Sequence, residues 1–350
     1  MVRVKIEDAE KFSNQVLGHY GVPTDQAEII TEVIMDSELR GYDDHGLFFL
    51  KAMLSFGYEQ KFMNPRPNVS VIKDDGSTAL IDGDGGCGAV AARFATGLCI
   101  EKAKKYGIAG VGVKNSGNII SPAVFALDAA KSGLFGCCSS NITALMAPTG
   151  GIQRALGTNP IAYAAPTSDP DVPFLFDMAS SSTAAAKIMV AANEGKTVEA
   201  NLIQSPEGHD TTDPLDFLNG GAVIPASGPK GYGISMMIDI LCGVLTGAEY
   251  GSDLQLDNAS VNKPGHFIFA IDITRFIPLE SFTARIDDRN LKIKNGDRKH
   301  TVDEILIPGE RGLKMMRNSI NKGYMELNHN TWDAISDLSK TTRVSVPNHL

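Results

Sequence analysis

The sequence predicts an α/β protein from three observations. Apolar residues recur at three- and four-residue steps through the first third, short strand-like runs bounded by Asp and Gly begin at residue 69, and from there strands alternate with helices. A chain of 350 residues has room for two or three packed modules. With 43% hydrophobic and 21% charged residues and a mean hydropathy of −0.05, it can bury an ordinary core.

The first helix is expected from Ile6, Ala9, Phe12, Val16 and Leu17. Thr24 and Asp25, after Pro23, offer cap chemistry to a second helix through Ile29, Ile30, Val33, Ile34 and Leu39. A third is expected from about Asp44 through Leu47, Leu50 and Leu54. Asn64-Pro-Arg-Pro-Asn-Val is too rich in proline for a helix and reads as a loop. Strands follow near Val69–Ile72 and Thr78–Ile81, then a helix over Ala89–Tyr106 whose basic end suits termination at Gly107. Strand Ile108–Val113, helix Pro122–Lys131 and strand Leu134–Ser140 come next. Strands near Ile161–Ala165 and Phe174–Phe176, and a helix near Thr183–Asn193, continue the pattern. The glycine-rich segment Gly220–Gly233 leads into a helix over Ile234–Thr246, and the last hundred residues give strand His266–Asp272 and a helix near Trp332–Leu338.

The formal charge of −9 and pI near 5.3 argue against unaided binding to nucleic acid or an anionic membrane. The five cysteines, Cys87, Cys99, Cys137, Cys138 and Cys242, are scattered without a CxxC pair or a nearby histidine, which suits a reducing compartment and no structural metal. The charged N-terminus lacks the apolar run of a secretory signal, so a cytoplasmic location is expected. The longest apolar stretch, 234–248, is broken by Asp239 and falls short of the roughly 20 residues a bilayer needs.

Residues 83–88 spell Gly83-Asp-Gly85-Gly-Cys-Gly88, a dinucleotide-type fingerprint between a strand and a helix. Two features oppose that reading. The next strand ends in Lys114-Asn115 without the acidic residue a ribose needs, and Asp82 and Asp84 would sit against a pyrophosphate. A glycine-rich turn is the better reading.

Six stretches stand in a recognisable order: Leu39-Arg-Gly-Tyr-Asp-Asp-His45-Gly, Ala103 to Ser116, Leu156-Gly-Thr-Asn-Pro160-Ile-Ala, Phe176-Asp-Met-Ala-Ser180, Thr211-Thr-Asp-Pro214 and Pro229-Lys-Gly-Tyr-Gly233. Together they resemble the type 2 malate/L-lactate dehydrogenase family, which also includes ureidoglycolate, sulfolactate and cyclic-imino-acid oxidoreductases. The resemblance implies a non-Rossmann nicotinamide-binding fold with a mainly antiparallel sheet, flanked by helical parts and built as a homodimer. It implies an N-terminal helical part over 1–75, a cofactor-binding core over 76–250, and a C-terminal mixed segment over 251–350 that packs back on the first. NAD or NADP would be held by Asp177, Met178 and Ala179, by Lys230 and Gly231, and by Pro308, Gly309 and Glu310, with Asn141 and Asn159 nearby. A lysine and the N–H groups of a glycine turn suit phosphate, and small residues admit the ligand closely.

By the same resemblance His45 would exchange a proton with the substrate oxygen and Asp177 would orient the site; imidazole suits the former because its pKa lies near operating pH. Three positions depart from the family pattern. Asp44 replaces the serine before the histidine, Phe49 replaces an arginine that would grip a substrate carboxylate, and Asn118 replaces a second histidine. Losing the planar cation removes bidentate carboxylate recognition. Three readings stay open: a pocket shifted toward a less anionic or a cationic substrate, with Asp44, Phe49 and Asn118 facing it; an ordinary small 2-oxo acid held by another cation such as Arg40 or Lys51; or a cofactor-binding homodimer of the same fold without turnover.

Overall fold

The computed structural model describes residues 1–254 and 263–350. Strand β1 (Val2–Lys5) leads into α1 (Ile6–His19) and α2 (Thr24–Leu39), which bury Ala9, Phe12, Val16 and Leu17 and Ala27, Ile30, Val33 and Ile34 respectively. Thr24 does not cap α2; it is the first helical residue, and extended Pro23 precedes it. A 3₁₀ turn (Asp43–His45), α3 (Leu47–Ala52) and a π-helical turn (Met53–Glu59) complete the helical opening.

Hairpin strands β2 (Ser70–Asp75) and β3 (Thr78–Asp82) precede α4 (Gly88–Tyr106) and β4 (Ile108–Lys114). Helix α4 ends at Gly107, whose φ of +92° favours a residue without Cβ and whose N–H returns to Ala103 O. Next come α5 (Ala123–Lys131), β5 (Leu134–Ser140), β6 (Pro160–Ala165), β7 (Phe174–Ala179) and α6 (Ala185–Asn193). Short strands β8 (Ile203–Gln204), β9 (Asp210–Thr211) and β10 (Ala222–Val223) form a small sheet beside α7 (Pro214–Leu218). Helix α8 (Pro229–Asp239) runs into a π-helical turn (Ile240–Val244), followed by β11 (His266–Asp272), α9 (Leu279–Lys294), α10 (Glu310–Lys322), β12 (Tyr324–Leu327) and α11 (His329–Thr342).

The main sheet has the order β2-β3-β4-β11-β5-β6-β7, and only β3 and β4 pair in parallel. It draws β2 from before residue 76 and its central strand β11 from beyond residue 250. Strand β1 pairs with β12, tying the two ends of the chain together. Alternation along the strands sends Cys138, Ile268 and Ala270 into the core shared with α1, α2 and α4, while Cys137, Phe267 and Phe269 meet Ile238 and Cys242 on the opposite face. Among the described residues no helix is long and apolar enough to cross a membrane.

Three expectations change. Helix α8 begins at Pro229 rather than Ile234, because proline is well suited to the first helical position, and this puts Lys230 and Gly231 inside a helix instead of a turn. Strand β7 runs to Ala179, so the Asp-Met-Ala stretch is strand. Helices α9 and α10, unassigned from sequence, are largely polar and bury only Thr283 and Gly312 respectively.

The 83–88 loop is closed by the protein itself. The N–H groups of Gly83, Gly85, Gly86 and Gly88 bond to Lys114 O, Asn115 O, Gly83 O and Asn118 O, and that of Asp84 bonds to the Asp82 carboxylate. A phosphate-binding turn must leave such donors free. A Cβ on Gly88 would lie 2.4 Å from Gly117 O, and one on Gly86 2.3 Å from Pro67 Cγ, so these glycines admit neighbouring chain rather than a ligand.

Candidate active site

The His45 turn is assembled from the end of α2. Gly41, at φ +78°, and Tyr42 donate to Glu38 O and Ser37 O, the paired bonds of a Schellman ending. The chain then makes the 3₁₀ turn, with His45 N–H on Tyr42 O, and re-enters helix α3. The first turn of α3 is secured from behind: Glu38 Oε2 accepts the Leu47 N–H at 2.8 Å, and a Cβ on Gly46 would come within 2.1 Å of that oxygen. Helix α10 holds the other side, where Gly312 packs on Arg40 and Met315 reaches Gly41.

Asp44 Oδ1 lies 3.1 Å from His45 Nδ1, leaving Nε2 without a protein partner among the described residues. Burial works against the imidazolium, but the hydrogen bond and charge of Asp44, helped by Asp177, prevail and raise its pKa. Phe49 lies parallel to the ring, with centroids 6.2 Å apart at 9°, so it walls the imidazole.

Asp177, Met178 and Ala179 do not act as one unit, because the strand's two-residue period divides them. Met178 packs on the face covered by α8, while Asp177 shares the electrostatic field of His45, Asp36 and Arg40. Burial pushes the Asp177 carboxyl up to about 6, with His45 opposing. No side chain hydrogen-bonds it among the described residues, and the Met178 N–H only slightly offsets the effect of burial. Just beyond, Ser180 N–H and Oγ bond to Thr158 O, and Ser180 O accepts from Ala226 N. Gly231 fits here because a Cβ would stand 2.6 Å from Ser180 O and 2.4 Å from Ala226 O. The end of β7 and the first turn of α8 are thus in backbone contact, with Lys230 exposed beside them. Gly309, φ +89°, brings the start of α10 onto Leu175 of the same strand.

Several side chains expected to face a ligand are instead engaged internally. Asn141 donates to Asp239 Oδ1 and Glu249 O and accepts from Gly265 N; Asn159 accepts from Ile142 N and donates to Ser235. Both are fully buried braces whose amide groups have their hydrogen bonds filled. Glu310 binds Lys294 at 2.6 Å and accepts the Ile307 N–H, closing the loop that contains Pro308. Asn118 turns back to accept the Ile120 N–H at 2.7 Å. Ile120, at φ +70°, sits at the centre of a tight turn closed by Ser121 N–H on Ile119 O, a strained geometry for a β-branched residue. His266 is buried between Ser116 and Ser140, each at 2.9 Å, and burial lowers its pKa to about 3, so it stays neutral and is no proton donor.

Neither expected replacement cation is free. Arg40 is 7% exposed with Nε on Asp36 at 2.8 Å, and Lys51 pairs with Asp337 at 2.7 Å. A cleft of about 360 Å³ beside His45 is instead lined by Lys187 of α6 and Arg311 of α10, together with Tyr42, Asp43, Asp44 and Asn330. Both cations escaped the sequence reading because they are 124 positions apart in a chain that gives no local sign of their meeting.

The fold and this site define a nicotinamide-dependent dehydrogenase of the non-Rossmann type. The chain belongs to the malate/L-lactate dehydrogenase family, whose profile matches residues 4–336, and it is an NAD(P)-dependent oxidoreductase. It is 37% identical over 329 residues to the malate dehydrogenase of Pyrococcus horikoshii, covering 92% of this chain and 91% of that one. The L-sulfolactate dehydrogenase of Methanocaldococcus jannaschii is 30% identical, with 99% of each covered. The crystal structure of malate dehydrogenase from Entamoeba histolytica superposes with a TM-score of 0.94 at 28% identity, again over 99% of each chain.

Burial pushes the Glu38 carboxyl from its ordinary 4.5 to about 7, opposed by the Leu47 N–H. Its ionised form is therefore disfavoured in the fold, and stability drops as pH rises through that interval. Glu38→Gln is expected to gain about 1–3 kcal/mol over the parent at pH 8 and to lose that advantage by about pH 4. Urea unfolding at both pH values checks this; an equal difference at the two would contradict it.

Proposed function

We propose that the protein reduces a C=O or C=N carbon of a small substrate, a 2-oxo acid, ketone or cyclic imine, and catalyses the reverse oxidation, with His45 as the group that gives and takes the proton. The observation that carries the reading is the Asp44-held imidazole, whose free Nε2 belongs to the same end of the sheet as Asp177. The under-bonded Asp177 carboxylate suits a hydroxyl or amide donor, which is the chemistry a pyridine nucleotide offers. Lys230, beside the α8 terminus, suits its phosphates, and the small side chain of Ala179 keeps bulk out of its path. When bound, the nicotinamide supplies or accepts the hydride.

The chain's own part is proton placement. With Nδ1 engaged by Asp44, the imidazolium presents its remaining proton at Nε2, and delivery to the substrate oxygen or nitrogen leaves a neutral ring. Phe49 keeps the ring in plane and water off one side. Asp177 holds the opposite side and favours the charged imidazole before transfer.

We further propose a homodimer formed over the half-covered face of the sheet. Phe135, Tyr163, Phe176 and Phe269 form a partly exposed aromatic strip there, beside α8 and its π-helical extension, where Met237, Ile240, Val244 and Leu245 are between 44% and 62% exposed. A contiguous apolar surface of this kind favours a self-complementary partner.

NADH or NADPH is expected to raise the melting temperature of the intact protein, because a ligand of the native state stabilises it. His45→Gln should keep that shift while lowering kcat about 10²- to 10⁴-fold; retained kcat would remove His45 from the reaction. Ile240→Glu should move the sedimentation coefficient from that of a dimer to that of a monomer, and a parent that already sediments as a monomer would end the dimer proposal.

A further inference from the structure

Phe49 offers no cation beside His45, so an acidic substrate held there needs its charged partner elsewhere. Within the adjoining cleft, Lys187 projects from the first turn of α6 and Arg311 from the first turn of α10. Among the described residues neither makes an ion pair or a side-chain hydrogen bond. The acids of the same cleft are engaged: Asp43 accepts the Asn328 amide at 2.8 Å, and Asp44 is held by His45. Among the described residues that line the cleft, Lys187 and Arg311 are the charged groups whose donors are still open. Lys187 is close enough to lower the pKa of Asp44 and to oppose the charging of His45. Arg311 acts in the same way on Tyr42, at the root of the His45 turn. Placement and free donors therefore coincide at one cleft.

We propose that Lys187 and Arg311 form the anion-binding pair of this active site and receive the carboxylate of an acidic substrate. The inference rests on His45 being the proton donor of a cofactor-loaded site. A guanidinium supplies a planar fork and an ammonium a compact charge, and the two approach the cleft from separate elements, so they can bracket one carboxylate. Asn330 lines the same space and adds a neutral donor. Phe49 then serves the imidazole and Phe48 the apolar wall of the cleft, while the charged contact comes from across it.

The test compares the parent with Lys187→Gln and Arg311→Gln, using oxaloacetate and the uncharged ester methyl pyruvate as oxidants of NADH or NADPH, with oxalate binding measured by calorimetry. Each substitution is expected to raise the ratio of the oxaloacetate KM to the methyl pyruvate KM by about tenfold or more, the loss expected for one charge-assisted contact. Arg311→Lys should recover part of it, and Lys51→Gln, whose ammonium is paired with Asp337 in the neighbouring cleft, should leave the ratio unchanged. Oxalate affinity should fall in step. An unchanged ratio in both glutamine variants overturns the proposal. If the parent reduces neither compound, the oxalate arm decides: weaker binding in the variants upholds the pair, and equal or absent binding overturns it. Failure of NADH and NADPH to bind at all would instead sink the proton-donor reading while leaving the oxalate result to stand alone.

Discussion

The hydrogen bond between Asp44 and His45 is the interaction on which the site depends. It fixes the imidazole by one nitrogen, sets the charge state of the ring against the cost of burial, and leaves the other nitrogen as the only proton available for chemistry. An unheld histidine on this half-buried 3₁₀ turn would sample several rotamers, and burial would act unopposed against its charged form. The aspartate answers both with one contact, and the aromatic ring of Phe49 confines the imidazole further by lying parallel to it.

That contact is useful only because the backbone around it is over-determined. Glu38 reaches nine residues forward to the start of α3, Gly312 lets α10 close against Arg40, and Gly309 seats the same helix on Leu175. On the far side, Gly231 binds the first turn of α8 to the end of β7 so closely that no side chain fits between them. Apart from that of Glu38, these junctions join elements distant in sequence, and each of them depends on a glycine. The strained turn at Ile120 belongs to the same region of the molecule. There Asn118 spends its amide oxygen on its own backbone, accepting the Ile120 N–H.

How much of this the sequence reveals depends on whether the signal is local. The end of α4 at Gly107 is legible, because a basic last turn followed by glycine is a local pattern, and the false fingerprint at 83–88 is discounted by the two aspartates beside it. His45 and Asp177 stand out through short motifs. Asn141 and Asn159 were legible as special but not as internal braces, since nothing adjacent in the chain names Asp239 or Ser235 as their partners. Helix α9 is hidden by its polarity, whereas α10 does carry an apolar stripe, with Leu313 and Met316 half-buried, set among so many charged and polar residues that it reads as loop. Lys187 and Arg311 look like ordinary solvated cations until the fold brings their elements to one cleft.

The central claim is that Asp44 holds His45 as an imidazolium poised to give its Nε2 proton. Its most direct test is an NMR titration of the His45 ring in the parent and in Asp44→Asn. The account predicts a midpoint above the ordinary imidazole value of about 6.5 in the parent and a clear fall in the variant. The same midpoint in both proteins would contradict it.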